Sequence, residues 1–158
     1  MNKTELLQRI VDQLTHDLQV FFTAAKAAHE AATHQENQPD NKYDTLALEA
    51  SYVAQGQANR AQELRQSIHV YRQLSPVCDC ETIRLASLVT IEAEDGTRRV
   101  VFIGPREGGL KIVYDDAEVM VISPTSPLGK ELLGKSLGDT AVIAAGSRSV
   151  EYEIVAVS

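Results

Sequence analysis

Ser123-Pro124-Thr125-Ser126-Pro127-Leu128-Gly129-Lys130-Glu131-Leu132-Leu133-Gly134-Lys135 is the most informative stretch of this chain. Proline lacks a backbone donor and biases the residue before it towards an extended conformation. The two Ser-Pro steps therefore predict a stiff polar loop. One or two helical turns follow through Leu128, Leu132 and Leu133, with Gly134 as a C-terminal cap. Ser126 suits the N-cap and Pro127 the first helical position.

Short alternating apolar runs flank the stretch on both sides. They predict strands over 85–94, 98–103, 110–114 and 119–122, a helix over 126–133, then strands over 140–144 and 150–157. Asp95-Gly96 is a strong hairpin signal, and Gly108-Gly109 and Gly146-Ser147 mark further turns. Successive hairpins around one short helix predict an α+β domain, an antiparallel sheet packed on that helix.

Upstream of Ser75-Pro76 the composition changes to Ala, Gln, Leu and Glu, with Pro39 as the one proline before that step. Leu6, Leu7, Ile10, Leu14, Leu18, Phe21, Phe22, Ala25, Ala28 and Ala32 recur at three- and four-residue spacing, the stripe of one long helix that Thr4 would cap. The polar run Asn37-Gln38-Pro39-Asp40-Asn41 breaks the pattern, and a second stripe follows in Leu46, Tyr52 or Val53, Gln57, Ala61, Leu64, Ile68 and Tyr71. So short a turn lays the two helices antiparallel, each about 50 Å long at roughly 1.5 Å per residue. The reading is two domains, a helical hairpin (coiled coil) over 1–75 and an α+β domain over 76–158. A hairpin this long has little core of its own. It serves either as a dimerising device or as a probe that reaches into something.

The 158 residues carry a net charge of −7, with 7 basic and 9 acidic side chains in 1–76 and 8 and 13 in 77–158. Autonomous duplex binding relies on Lys and Arg at phosphates, so an acidic chain meets nucleic acid through a protein partner. The only cysteines, Cys78 and Cys80, form a C-x-C pair too small for a four-ligand zinc site, and read as linker thiols. No apolar run is long enough to span a bilayer, and the N-terminus turns polar at once, so the expectation is a cytoplasmic protein without membrane contact.

Acids gather around the predicted turn: Glu30, Glu36, Asp40, Asp44 and Glu49, with Lys42 among them. Two or three such carboxylates can hold Mg²⁺ through oxygen ligands while several waters stay in place. A second metal beside a resident one activates water in phosphodiester cleavage. Asp40 or Asn41 can equally cap the second helix, and Asp44 can serve as a first-turn acid. Both roles stay open on the residues alone.

Ser123–Lys135, continued by Leu137-Gly138-Asp139 and the final run Val150-Glu151-Tyr152-Glu153-Ile154-Val155 behind a long helical hairpin, resembles the Gre family of bacterial transcription elongation factors. The resemblance covers nearly the whole chain. It implies an FKBP-like fold for the C-terminal domain, with the partner RNA polymerase, and with RNA and DNA met only inside the elongation complex. It implies that Thr125, Ser126, Pro127, Leu128 and Gly129 dock on the polymerase while the hairpin enters the secondary channel. It also implies that the tip acids Asp40, Glu36 and Asp44 support cleavage of backtracked RNA, with Asp40 and Glu36 helping to hold a Mg²⁺ shared with the polymerase. On this reading the chain is a monomer in function, holds no cofactor stably, and is not itself an enzyme. The family's tip has the form Asp-x-x-Glu-Asn-x-x-Tyr. Here Asp40-Asn41 takes the place of Glu-Asn, Tyr43 lies near the Tyr position, and Glu36 stands four residues before Asp40 with Pro39 between.

Two further readings follow from the same residues. An altered tip can occupy the channel and regulate or inhibit the polymerase without cleavage. A dimerising hairpin on a small α+β domain needs no polymerase at all. An FKBP-like isomerase would want an aromatic-lined pocket, and the chain has three Phe and no Trp.

Overall fold

The computed structural model describes residues 1–35, 41–76 and 81–158, with the side chains of 32–54 outside that description. Helices α1 (Lys3–Gln35) and α2 (Asn41–Gln73) are followed by strands β1 (Leu88–Ala93), β2 (Arg98–Ile103), β3 (Lys111–Tyr114) and β4 (Ala117–Ile122). Helix α3 (Pro127–Leu132) and strands β5 (Thr140–Ala145) and β6 (Arg148–Val157) complete the chain. Cys78 and Cys80 lie outside the described residues. Two compact units emerge: residues 11–69, and residues 1–10 together with 70–158.

In the helical unit, Arg60 of α2 lies over the ring of Phe21 in α1, 6.0 Å from its centroid. The five residues between the helices span at most about 18 Å. A contact so far from both inner ends therefore requires α2 to fold back antiparallel to α1. Leu14, Ala61, Leu64 and Ile68 are buried, as their spacing predicts, and Val11 and Ser67 join them. Phe22 departs from the predicted stripe: it is 55% exposed while the adjacent Phe21 is half-buried, since successive helical residues point about 100° apart. A Cβ added at Gly56 would meet nothing within 4 Å, and the residue is exposed on α2.

In the larger unit, Asn2 rather than Thr4 caps α1: its Oδ1 accepts from the Thr4 and Glu5 N–H groups at 2.9 and 3.4 Å. The first turn of α1 is held by Tyr114, whose hydroxyl donates to Glu5 Oε2 at 2.9 Å and accepts from Asn2 N–H at 3.2 Å. Arg9 stacks on the same ring at 4.8 Å and pairs with Glu5 at 2.9 Å. The Arg9 bond, followed by the Tyr114 hydroxyl, holds the Glu5 carboxyl below its ordinary range.

The six strands form one sheet in the order β3-β4-β2-β1-β6-β5. It is mixed, which corrects the expectation of a wholly antiparallel sheet: β2 and β4 run parallel, with Val100 opposite Val119 and Ile103 opposite Ile122. The cause lies in burial. In β4, Val119, Val121 and Ile122 are buried on both faces of the strand, whereas β3 alternates exposed Lys111 and Val113 with buried Ile112 and Tyr114. A strand apolar on both faces belongs inside a sheet and a half-polar one at its edge. The chain therefore passes over β4's place after β2, forms the β3–β4 hairpin at Asp115-Asp116, and returns beside β2. Both turn residues have positive φ, 48° and 61°, as a two-residue type I′ turn requires.

Helix α3 covers one face of the sheet. Leu132 is fully buried there with Ile83, Val89, Ile91, Val101, Ile103, Tyr152 and Ile154, and Leu128 and Leu133 pack at the margin. Tyr71, near the end of α2, is 1% exposed and donates to the Arg106 carbonyl at 2.6 Å. Burial pushes its phenol far above the ordinary range. A group held neutral by the fold stabilises it fully below its unfolded pKa, about 10, and that stability is lost as pH rises from there towards the folded value. The stability difference between wild type and Tyr71→Phe should therefore be constant from pH 7 to 9 and shrink above pH 10. Urea unfolding at matched pH values measures it, and a difference that stayed constant or grew would contradict the buried, neutral phenol.

Candidate functional site: the capped Ser-Pro loop

The predicted site residues divide into two groups. Glu36 and Asp40 lie outside the described residues, and Asp44 stands in the first turn of α2 with its side chain outside the description. Among the described residues, no group of three His, Cys, Asp or Glu side chains could hold a metal ion, and no helix is long and apolar enough to cross a membrane. Thr125, Ser126, Pro127, Leu128 and Gly129 lie together in one ordered turn at the start of α3.

Ser126 organises that turn. Its backbone is extended (φ −67°, ψ 156°), as an N-cap should be, and Pro127 opens the helix. The Ser126 hydroxyl accepts from the Gly129 N–H at 3.0 Å and donates to the Ser123 carbonyl at 2.7 Å. That carbonyl also receives the Ser126 N–H at 3.1 Å. One step out, the Ser123 and Thr125 hydroxyls are 2.8 Å apart, and Ser123 Oγ accepts from Thr125 N–H at 3.2 Å. The loop is closed on itself by its own side chains.

Gly129 makes this closure possible. It is buried, and a Cβ there would lie 2.0 Å from the Ser123 carbonyl oxygen and 3.0 Å from Ser126 Oγ. At the far end, Gly134 takes φ +82°, the cap its position predicts, and donates to the Ile83 carbonyl at 2.9 Å. Ile83 N–H in turn donates to the Lys135 carbonyl at 2.8 Å, so the segment entering the domain clamps the end of α3. Sequence spacing alone did not reveal that clamp, because 83 and 135 are remote in the chain.

The outcome is a division of labour within the motif. Ser126 and Leu128 are half-buried and Gly129 is buried, while Thr125 and Pro127 are exposed. Ser126 and Gly129 shape the loop, and Thr125 and Pro127 form its exposed surface. Beside Leu128 an open groove of about 530 Å³ runs along the sheet, lined by Arg99, Val101, Lys111 and Met120 among others.

These features define a class: a long helical hairpin joined to a small α+β domain that carries one rigid, self-capped loop. Residues 79–158 match the family model described as "Transcription elongation factor, GreA/GreB, C-term". The chain belongs to the GreA/GreB family of transcription elongation factors. It is 27% identical over 135 residues to transcription elongation factor GreA of Acidiphilium cryptum (strain JF-5), covering 84% of this chain and 79% of that one. Among solved structures it is similar to GreA factor homolog 1 (Gfh1) of Thermus thermophilus, at 24% identity, 94% coverage of each chain and a TM-score of 0.39. It is also similar to Gfh1 of Thermus aquaticus, at 26% identity, 99% coverage of this chain and 94% of that one, and a TM-score of 0.40.

Proposed function

We propose that this chain acts on RNA polymerase: the Ser-Pro loop docks it, the helical hairpin enters the secondary channel, and the tip acids support Mg²⁺-dependent cleavage of backtracked RNA. The observation that carries the docking is the pre-closed loop, with Ser126 bonded on both sides and Thr125 and Pro127 left exposed. A loop that is already ordered loses little conformational entropy on binding. At the tip, Asp40 and Glu36, with Asp44 nearby in sequence, supply the carboxylate oxygens that suit Mg²⁺. The polymerase owns the active site, the chain is not an enzyme by itself, and one copy serves one elongation complex in the cytoplasm. A second reading rests on the four-residue step from Glu36 to Asp40 across Pro39: the hairpin occupies the channel and regulates the polymerase without cleavage.

The test is transcript cleavage and binding with a stalled, backtracked elongation complex of the cognate polymerase and Mg²⁺. Thr125→Arg should abolish binding with the melting temperature unchanged. Ser126→Ala should weaken binding and cost about 1 kcal/mol of stability, the usual value of a lost N-cap. Asp40→Ala should bind normally and lose cleavage. Binding by wild type without cleavage selects the second reading, and absence of binding overturns both.

A further inference from the structure

The two edges of the sheet are finished differently. At the β3 edge, the outward Val113 carbonyl accepts from Arg9 Nη1 at 3.3 Å, so a cation covers it. At the other edge β5 pairs with β6 alone. Its two-residue turn at Gly146-Ser147 makes Ala145 and Arg148 the closing, hydrogen-bonded pair, and such pairs alternate along an antiparallel ladder. Ile143 and Ala141 therefore bond inward to β6, while Thr140, Val142 and Ala144 turn their N–H and C=O groups outward. Lys135 Nζ takes the Thr140 carbonyl at 2.6 Å. Among the described residues, that leaves Val142 and Ala144 as a bare template in the uncharged run Thr140-Ala141-Val142-Ile143-Ala144-Ala145, with Val142 48% exposed. Natural proteins blunt such edges with charge or proline.

The face beside this edge is acidic. Val142 stands opposite Glu151 and Thr140 opposite Glu153, so both carboxylates share the face of Thr140, Val142 and Ala144. Glu92 stands opposite Glu153 one strand further in. With Glu94 these acids line a shallow cavity of about 270 Å³. Arg98 pairs with Glu92; among the described residues, no cation pairs with Glu94, Glu151 or Glu153. A strand added at β5 would place alternate side chains on this face, where long Lys or Arg stems reach past Thr140 and Val142 to the carboxylates on β6.

We propose that β5 is a docking edge for an extended basic segment of a partner protein, added as a seventh strand with its Lys or Arg side chains two residues apart over Glu151 and Glu153. Main-chain bonds to Val142 and Ala144 supply affinity and the acid row supplies specificity, the usual split in strand addition. A second copy of this chain fits poorly, since paired β5 edges would bring two acidic rows to one face. The proposal stands on the sheet edge and is independent of what the hairpin does.

The probe is a seven-residue peptide of alternating Thr and Lys, blocked at both ends, titrated into the ¹⁵N-labelled full chain. Shifts should centre on Val142, Ala144 and Ser149–Glu153, with slowed amide exchange at Val142 and Ala144. Combined Glu151→Lys and Glu153→Lys should weaken the peptide by about tenfold, since two exposed charge attractions become repulsions. Val142→Pro, which removes an outward N–H and leaves the β6 ladder intact, should abolish binding; should that variant misfold, the charge reversal still decides. The same peptide with Glu for Lys should not bind. Equal binding of both peptides, shifts centred on Arg99 and Lys111 instead, or no saturation would overturn the proposal. So would sedimentation showing a dimer that protects Val142 and Ala144 without peptide.

Discussion

Gly129→Ala is expected to be among the most damaging single methyl additions in the larger unit, costing about 3 kcal/mol, the upper range of overpacking in a close-packed site. The Cβ would lie 2.0 Å from the Ser123 carbonyl oxygen, a backbone atom, and crowd Ser126 Oγ at 3.0 Å. Neither can yield cheaply. The carbonyl is fixed by two donors from Ser126, and Ser126 is fixed by the Gly129 N–H. To admit the methyl group the loop must open, which frees Gly129 N–H and shifts Leu132 in the core. The melting temperature should fall by roughly 6–12 °C at that cost for a chain of this size, and polymerase binding should weaken beyond what Ser126→Ala produces. A Gly129→Ala protein with unchanged melting temperature would show that the cradle is not tight.

Gly104→Ala should cost about as much, by a different route. Gly104 is buried where β2 ends, and an added Cβ would run into the Tyr71 hydroxyl and lie 2.6 Å from Val121 Cγ1. The phenol cannot swing aside, because it is buried and bonded to the Arg106 carbonyl at 2.6 Å. A loss of about 3 kcal/mol is expected for the glycine change and about 1–2 kcal/mol for Tyr71→Phe, a buried hydrogen bond lost with its acceptor left behind. The double variant should cost less than the sum by about 1 kcal/mol, since removing the hydroxyl makes room for part of the methyl group while Val121 remains. Denaturant unfolding of the four proteins completes the cycle. Strict additivity would mean that Gly104 and Tyr71 do not share this space.

Read from its residues alone, the chain already shows most of its local structure. The long helices follow from apolar spacing, the strands from alternation, and the α3 cap from Ser126-Pro127 with Gly134 past its end, because each is a short-range preference of backbone and side chain. The Ser-Pro loop was legible for the same reason: its hydrogen bonds join residues at most four apart. Tertiary structure decided the rest. The parallel placement of β4 beside β2 depends on which strand can bury both faces, a competition among whole strands that no local window contains. The half-burial of Phe21 beside exposed Phe22 depends on the partner helix, and Asn2 won the cap from Thr4 because the first turn of α1 is anchored on Tyr114, more than a hundred residues away. The clamp of Ile83 on Lys135 and the close approach of Gly104 to Tyr71 have the same origin. They join segments that only the finished sheet brings within bonding distance, so nothing in either segment by itself announces them.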